Sequence, residues 1–327
     1  MSTHIGRQVN VGYAREATRG TAVAAEYWDK QADLSIDEKF ELGVHDTAFG
    51  QVEDADGGTV LTKMMEGSIR AHAKSESLGL LLFSVFGGLA TTGPTDTSVY
   101  THTYTVAQTN VHQSLTISTN DAVQDYRFTN AVISDFELIL EAGKFVDYSI
   151  SFMGRNGATA TNSVSFNASE QLFIAKHVTV KQATSSAGLG AASAMPIHRM
   201  SLKVAHNIET EYILGSITPN DFLNKQFTIT GEMELYFQNE TEFKTKALAG
   251  TAIALEIKLT NTDVTIGAST NPTLTITLYQ TKVTELSRDL GKDGVVKQKV
   301  AFKAFYDTTA TKMVDVVLLN LVADYTP

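Results

Sequence analysis

Two stretches decide how this chain is read: Ser35-Ile36-Asp37-Glu38-Lys39-Phe40-Glu41-Leu42-Gly43 and Asn207-Ile208-Glu209-Thr210-Glu211-Tyr212-Ile213-Leu214-Gly215. Ile, Leu and Gly recur in register, an acid follows each Ile, and an aromatic stands two before each Leu. Beyond each stretch the same features follow in the same order. A loop, Val44 to Met64 or Ser216 to Ile229, leads to a strand opening on glycine, Gly67 to Ala73 or Gly231 to Phe237. A short segment of helical spacing comes next and ends on glycine. It runs from Ser77 through Leu78, Leu81, Leu82 and Val85 to Gly87, and again from Thr241 through Phe243 and Leu248 to Gly250. Ser77 and Thr241 suit N-caps, and the glycines suit C-caps. A hairpin closes each series: Val132–Leu140 with Phe145–Met153, then Val283–Leu290 with Val295–Phe305. Four features repeated in one order imply a tandem duplication.

The alternation of Phe136, Leu138 and Leu140, and of Tyr148, Ile150 and Phe152, is that of strands with one buried face. The predicted fold is mainly β: two tandem β-sandwich or barrel-like domains, each flanked by a short α-helix. Residues 1–32 form an N-terminal arm without strong periodicity, lying along a neighbour or along the chain's own surface. Residues 33–160 form the first domain and 161–327 the second. An Ala/Ser/Gly-rich linker or loop spans 183–196, while Leu172–Ile174 and His177–Val180 read as strands of the second domain.

Composition agrees with a folded, β-leaning chain: 43% of its 327 residues are hydrophobic and only 19% charged. The net charge of −10 and the lack of a Lys/Arg cluster argue against specific nucleic-acid binding, which needs clustered cations for phosphate. Without cysteine there are neither disulfides nor thiolate metal sites. The start lacks the apolar core of a signal peptide, and Leu78 to Leu89 falls short of the roughly 20 residues that cross a bilayer. The expectation is a product that stays in the cytosol of its maker, with no membrane contact.

No motif in the chain carries chemistry. His4, His45, His72, His102, His112, His177, His198 and His206 are scattered without metal-ligand spacing. Gly188-Leu189-Gly190-Ala191-Ala192-Ser193 mimics part of a dinucleotide fingerprint but lacks its strand and helix. Glu53-Asp54-Ala55-Asp56-Gly57-Gly58 has the carboxylates for calcium but not the spacing of an EF-hand, and reads as a solvated hairpin tip. The expectation is therefore no catalytic residues, no cofactor, no metal and no enzyme activity. Between Asp33 and Asp56 stand eight acidic residues and one basic residue, Lys39. Such a stretch would repel DNA if it lined a channel.

Three stretches resemble the tail tube (major tail) proteins of long, non-contractile-tailed bacteriophages. They are Gly12-Tyr13-Ala14-Arg15-Glu16-Ala17-Thr18-Arg19-Gly20-Thr21-Ala22-Val23, then Val204–Glu209 with Tyr212–Gly215, then Thr230–Phe237 with Glu242-Phe243. The resemblance implies a β-sandwich with a flanking helix, assembled into rings that stack into a hollow tube inside the virion tail. It implies a long loop reaching the neighbouring ring and an inner barrel of strands from every domain. The implied partners are the chain itself, a tape-measure protein, tail-tip and terminator proteins, and double-stranded DNA that passes without specific binding. Assembly would take place in the host cytoplasm. A duplicated chain predicts a trimer with pseudo-sixfold symmetry, and an illusory repeat a hexamer. The alternatives are a receptor- or carbohydrate-binding β-sandwich module of a phage or bacterial surface, and the tube of a contractile or secretion system.

Overall fold

The structure, a computed structural model, describes residues 4–48, 50–237, 243–292 and 294–326. These residues form the strands β1 (Asn10–Arg15), β2 (Tyr27–Asp29), β3 (Asp33–Asp46), β4 (Ala55–His72), β5 (Gly87–Thr92), β6 (Tyr100–Val106), β7 (Leu115–Asn120), β8 (Asp125–Glu141) and β9 (Asp147–Gly154). They continue with β10 (Ala158–Ala160), β11 (Val178–Ala183), β12 (Ile197–Glu211), β13 (Asp221–Tyr236), β14 (Ile253–Thr260), β15 (Thr273–Asp289), β16 (Lys297–Phe305) and β17 (Val314–Asn320). Helix α1 (Ser77–Phe86) joins β4 to β5, and α2 (Lys244–Leu248) joins β13 to β14. The fold is mainly β, and the strand pairings among the described residues are antiparallel.

Eight strands form one continuous sheet in the order β3-β4-β9-β8-β12-β13-β16-β15. The first four and the last four pair in matching order. β8 and β15, each 17 residues long, carry a register shift at corresponding places, Ile133/Asp135 and Val283/Glu285. A bulge bends a strand, and beyond it each enters a second layer. There β8 runs between β7 and β10, with β1 and β2 outside β7. The first half of β15 runs between β14 and β17, with β11 outside β14. The β5–β6 hairpin then adds to the free side of β17. Apolar residues of both layers meet in one core, including Phe136, Tyr148 and Phe152 from the first series and Met233, Phe302 and Leu318 from the second. Each such side chain contributes roughly 1.5–3 kcal/mol.

Gly67 and Gly231 explain the repeated glycines, though neither opens a strand. Gly67 pairs with Ile36 and Phe152, and Gly231 with Leu202 and Phe302. A Cβ would lie 2.5 Å from the Phe152 ring at one and 2.3 Å from the Phe302 ring at the other. Each aromatic ring thus covers its glycine's backbone, and any side chain there would displace it. This contact sets Ser35-Ile36 level with Ser201-Leu202, six residues earlier than the Asn207-Ile208 match suggested. Asn207 itself falls at a register shift between His206 and Ile208. Strand pairing follows the ring-over-glycine contact, which a short identity match does not see.

Several local expectations change with it. Most of the expected loops are strand: β3 runs on to Asp46, β4 starts at Ala55 and β13 at Asp221. The stretch 1–32, expected as an arm, supplies β1 and β2, with Tyr13 and Trp28 buried. β1 is covered on both faces, with Val11 and Tyr13 in the core and Gly12 under Ala25 and Trp28, so its four central residues are all buried and show no alternation. The 183–196 stretch is ordered: Ser186–Ala191 forms a 3-10 turn that buries Leu189. Every residue of α1 is buried, and the helix ends on Gly87 at φ 78° as its glycine predicted. Its cap is Glu76 rather than Ser77, whose N–H donates to Glu170 Oε1 at 2.7 Å. α2 gives way to Gly250 at φ 62°, while the expected cap Thr241 lies outside the described residues.

Candidate functional site: a polar sheet face with two open edges

Because side chains alternate along a strand, cross-strand pairs assign each residue of the eight-stranded sheet to a face. One face supplies the core. The other carries Asp33, Asp37, Glu66, Asp135, Glu137, Glu141, Asp147, Glu232, Glu234, Glu285 and Asp289, against Lys39, Arg70, Arg199, Lys203, Lys282, Lys297, Lys299 and Lys303. Ser35, Ser68, Ser149, Ser151, Ser201 and Ser287 stand between them. The bases are partly neutralised in place: Lys203 meets Asp135 and Lys297 meets Glu234, both at 2.8 Å, and Lys39 meets Glu66. The Lys297 ammonium holds the Glu234 carboxyl below its ordinary range. The result is a broad hydrophilic surface with excess negative charge.

Both ends of this sheet are open. Among the described residues β3 pairs only with β4, and the last eight residues of β15, from Lys282, pair only with β16. Unpaired edges are templates for another strand. Beyond Glu38, the β3–β4 hairpin leaves the body as a two-stranded ribbon with both faces solvated. It exposes Phe40, Leu42, Val44 and Leu61. Its base is tied to the β12–β13 turn by Lys63 N–H donating to the Ile217 carbonyl at 2.8 Å.

The stretch after β1 acts as a clamp that no sequence pattern foretold. Glu16 is 2% exposed, and its carboxylate accepts from Gly20 N (2.7 Å), Ser114 Oγ (2.7 Å), Thr116 Oγ1 (3.0 Å) and Asn130 N (2.8 Å). That loop positions Arg19, which reaches Asp221 Oδ1 at 2.5 Å and the carbonyls of Phe222 and His112. Arg155 donates to the carbonyls of Pro219 and Asn220 beside it. Arg19 thus fixes the start of β13 to the N-terminal segment, and Arg155 fixes the turn just before it to the end of β9. The only sequence signal was the Glu-Ala-Thr-Arg-Gly-Thr run itself.

The other singled-out residues do not converge. Glu53 and Asp54 lie exposed at the ribbon end, and Asp56 faces His45 at 3.9 Å. Among the described residues no three His, Asp or Glu side chains stand where they could hold a metal ion. His102, His112, His177 and His206 are buried in packing roles, and His112 and His206 are in contact, ring to ring at 5.1 Å. Gly188 and Gly190 lie in the 3-10 turn after β11. An apolar groove of about 610 Å³ runs beside the β8–β12 junction, lined by Leu140, Phe145, Ile174, Val180, Met195 and Met200. Among the described residues no helix is long and apolar enough to cross a membrane.

No curated protein matches the chain. The sequence profile of one family, described as phage tail tube protein, matches residues 6–304. That span takes in the Glu16 clamp and, but for Phe305 at the end of β16, the whole eight-stranded sheet, and it stops short of β17. With its β architecture, hydrophilic sheet face and open edges, the chain belongs to the phage tail tube protein family.

Proposed function

We propose that the protein assembles into rings that stack as the tail tube of the virion, a conduit for the tape-measure protein and then for genomic DNA. In this reading residues 33–160 and 161–327 are two tandem tail-tube domains, and assembly takes place in the host cytoplasm without catalysis. The observation that carries it is the eight-stranded sheet: two four-strand sets of identical pairing order, polar on one face and open at both edges. A barrel closed from three such sheets, with strands about 4.8 Å apart and tilted about 40°, has a backbone diameter of about 50 Å. That passes a DNA duplex with room for side chains. One sheet closing on itself would bury the charged face at prohibitive cost, and six would double the bore. Three copies, giving pseudo-sixfold rings, are favoured over a hexamer.

The exposed β3–β4 ribbon serves the contact between successive rings, and the tail-tip and terminator proteins meet the ends of the tube. Negative-stain and cryo-electron microscopy of the purified protein test the reading. Rings or tubes with threefold symmetry and six similar densities per ring are expected. Particles that stay monomeric at high concentration would refute it.

A further inference from the structure

The sheet contains its own template for joining one copy to the next. Inside the chain, the first four strands meet the second four where β8 pairs with β12, over seven residue pairs from Arg199↔Glu141 to Ala205↔Asp135, centred on Leu202↔Leu138. The ring-over-glycine contacts and the shared bulges align the two halves residue by residue. Ile36 corresponds to Leu202, since each pairs with the covered glycine. Val283 corresponds to Ile133, since each pairs with the covering phenylalanine and precedes the bulge. Counting on from the bulge, Arg288 corresponds to Leu138.

We infer that the open edge of β3 in one copy pairs antiparallel with the open edge of β15 in the next, with Ile36 opposite Arg288. The remaining pairs follow: Leu34 with Leu290, Glu38 with Leu286, Ser35 with Asp289, Asp37 with Ser287, and Lys39 with Glu285. This rests on the proposed ring, and it fixes which strands meet and in what register.

Two independent observations support it. Leu140, at the internal junction, is 5% exposed, whereas its counterpart Leu290 is 71% exposed. Likewise Met200 and Leu202 are buried, while Leu34 and Ile36 are only half-buried. These are the residues that a second copy would cover as the internal junction covers their counterparts. Charge agrees as well. Lys39 and Glu285 become direct cross-strand partners on the polar face. Glu285 takes the place that Asp135 holds at the internal junction, where Asp135 also meets a lysine, Lys203. On the core side Arg288 and Glu38 depart from apolar pairing, but this register makes them diagonal neighbours of opposite charge. The Arg288 guanidinium also lies 3.9 Å from the Phe237 ring centre, and Glu38 accepts from Gly157 N at 2.9 Å.

The chain has no cysteine, so an introduced pair reports on one contact alone. Asp37→Cys with Ser287→Cys, both exposed, places two thiols directly opposite across the proposed junction. Asp33→Cys with Ser287→Cys places them four residues out of register, about 13 Å apart and beyond disulfide reach. Mild oxidation of assembled particles should convert most of the first variant to covalent multimers ending at a closed ring, and little of the second. Thermal unfolding of each reduced variant verifies that it is folded, and a variant that fails is replaced by Ser35→Cys with Asp289→Cys, the adjacent opposed pair. Efficient cross-linking of the out-of-register pair would overturn the register. Tubes in which neither opposed pair cross-links would overturn the junction while leaving the tube intact. Wild-type protein that forms neither rings nor tubes would instead remove the proposed function on which the junction rests.

Discussion

Four donors converge on the Glu16 carboxylate, and with a single exception they come from residues about a hundred positions away. Glu16→Ala leaves those donors buried without an acceptor, at about 1–3 kcal/mol for each that water cannot reach. The expected loss is at least about 3 kcal/mol, read as a lower urea midpoint, with Glu16→Gln intermediate because it keeps one acceptor oxygen. A second residue ties stability to pH. His206 is packed against His112 and Phe227, and neither ring nitrogen makes a hydrogen bond of good geometry. Burial, reinforced by His112, lowers its pKa from 6.5 to about 4, with the Val85 carbonyl and Asp135 opposing. The unfolded chain therefore binds the proton first. The stabilisation is complete above pH 6.5 and is lost as pH falls toward 4, a change of about 3 kcal/mol. Burial depresses His112 and His102 in the same direction. His206→Phe should flatten the pH dependence of unfolding between pH 6.5 and about 4; an unchanged slope would place the titration elsewhere.

On the proposed function, removing the β3–β4 ribbon should separate folding from assembly. Its apolar side chains are exposed, Phe40 by 68% and Leu42 by 52%, so they add little to the core. Joining Glu41 to Thr62, which are cross-strand partners, through an Asn-Gly turn removes the outer ribbon and keeps the strand register. The shortened protein should melt within a few degrees of the parent and still form single rings, but should not stack into tubes in the microscope. Normal tubes would assign stacking to another surface. At this scale the sequence was legible wherever one face of a strand was buried: Phe136 to Leu140 and Tyr148 to Phe152 alternate as strands and pair as strands. It was not legible in β1, covered on both faces, or in the outer ribbon, solvated on both faces, because neither leaves an alternating trace. Gly67 and Gly231 marked the right strands for a reason visible only across the sheet. The Glu16 clamp joins segments too far apart in the chain for any local pattern to announce it.

For the whole molecule, the decisive question is which surface would face the bore of the proposed tube, and the fold moves that question away from where the sequence put it. Of the eight acids between Asp33 and Asp56, only Asp33 and Asp37 lie on the polar face of the long sheet; the rest belong to the ribbon or to the opposite parity. The face itself carries its excess of acids across all its strands. A wall of this kind keeps a polyanion from adhering within about a Debye length, ~8–10 Å, while the interspersed serines keep it hydrated. Glu137→Lys combined with Glu232→Lys would turn two acids of that wall into bases, repeated in every copy of every ring. Both positions lie near the middle of the sheet, away from either open edge. The first substitution sets a lysine opposite Lys203, a like-charge pair that costs only about a few tenths of a kcal/mol on a solvated sheet face. Tubes should therefore still form. They should hold double-stranded DNA that co-sediments at low salt and is released as salt rises, the signature of counterion release. Reversing Asp54 and Asp56 at the ribbon end should leave DNA unbound inside. If the ribbon variant rather than the sheet variant retained DNA, the polar face would lie on the outside of the tube.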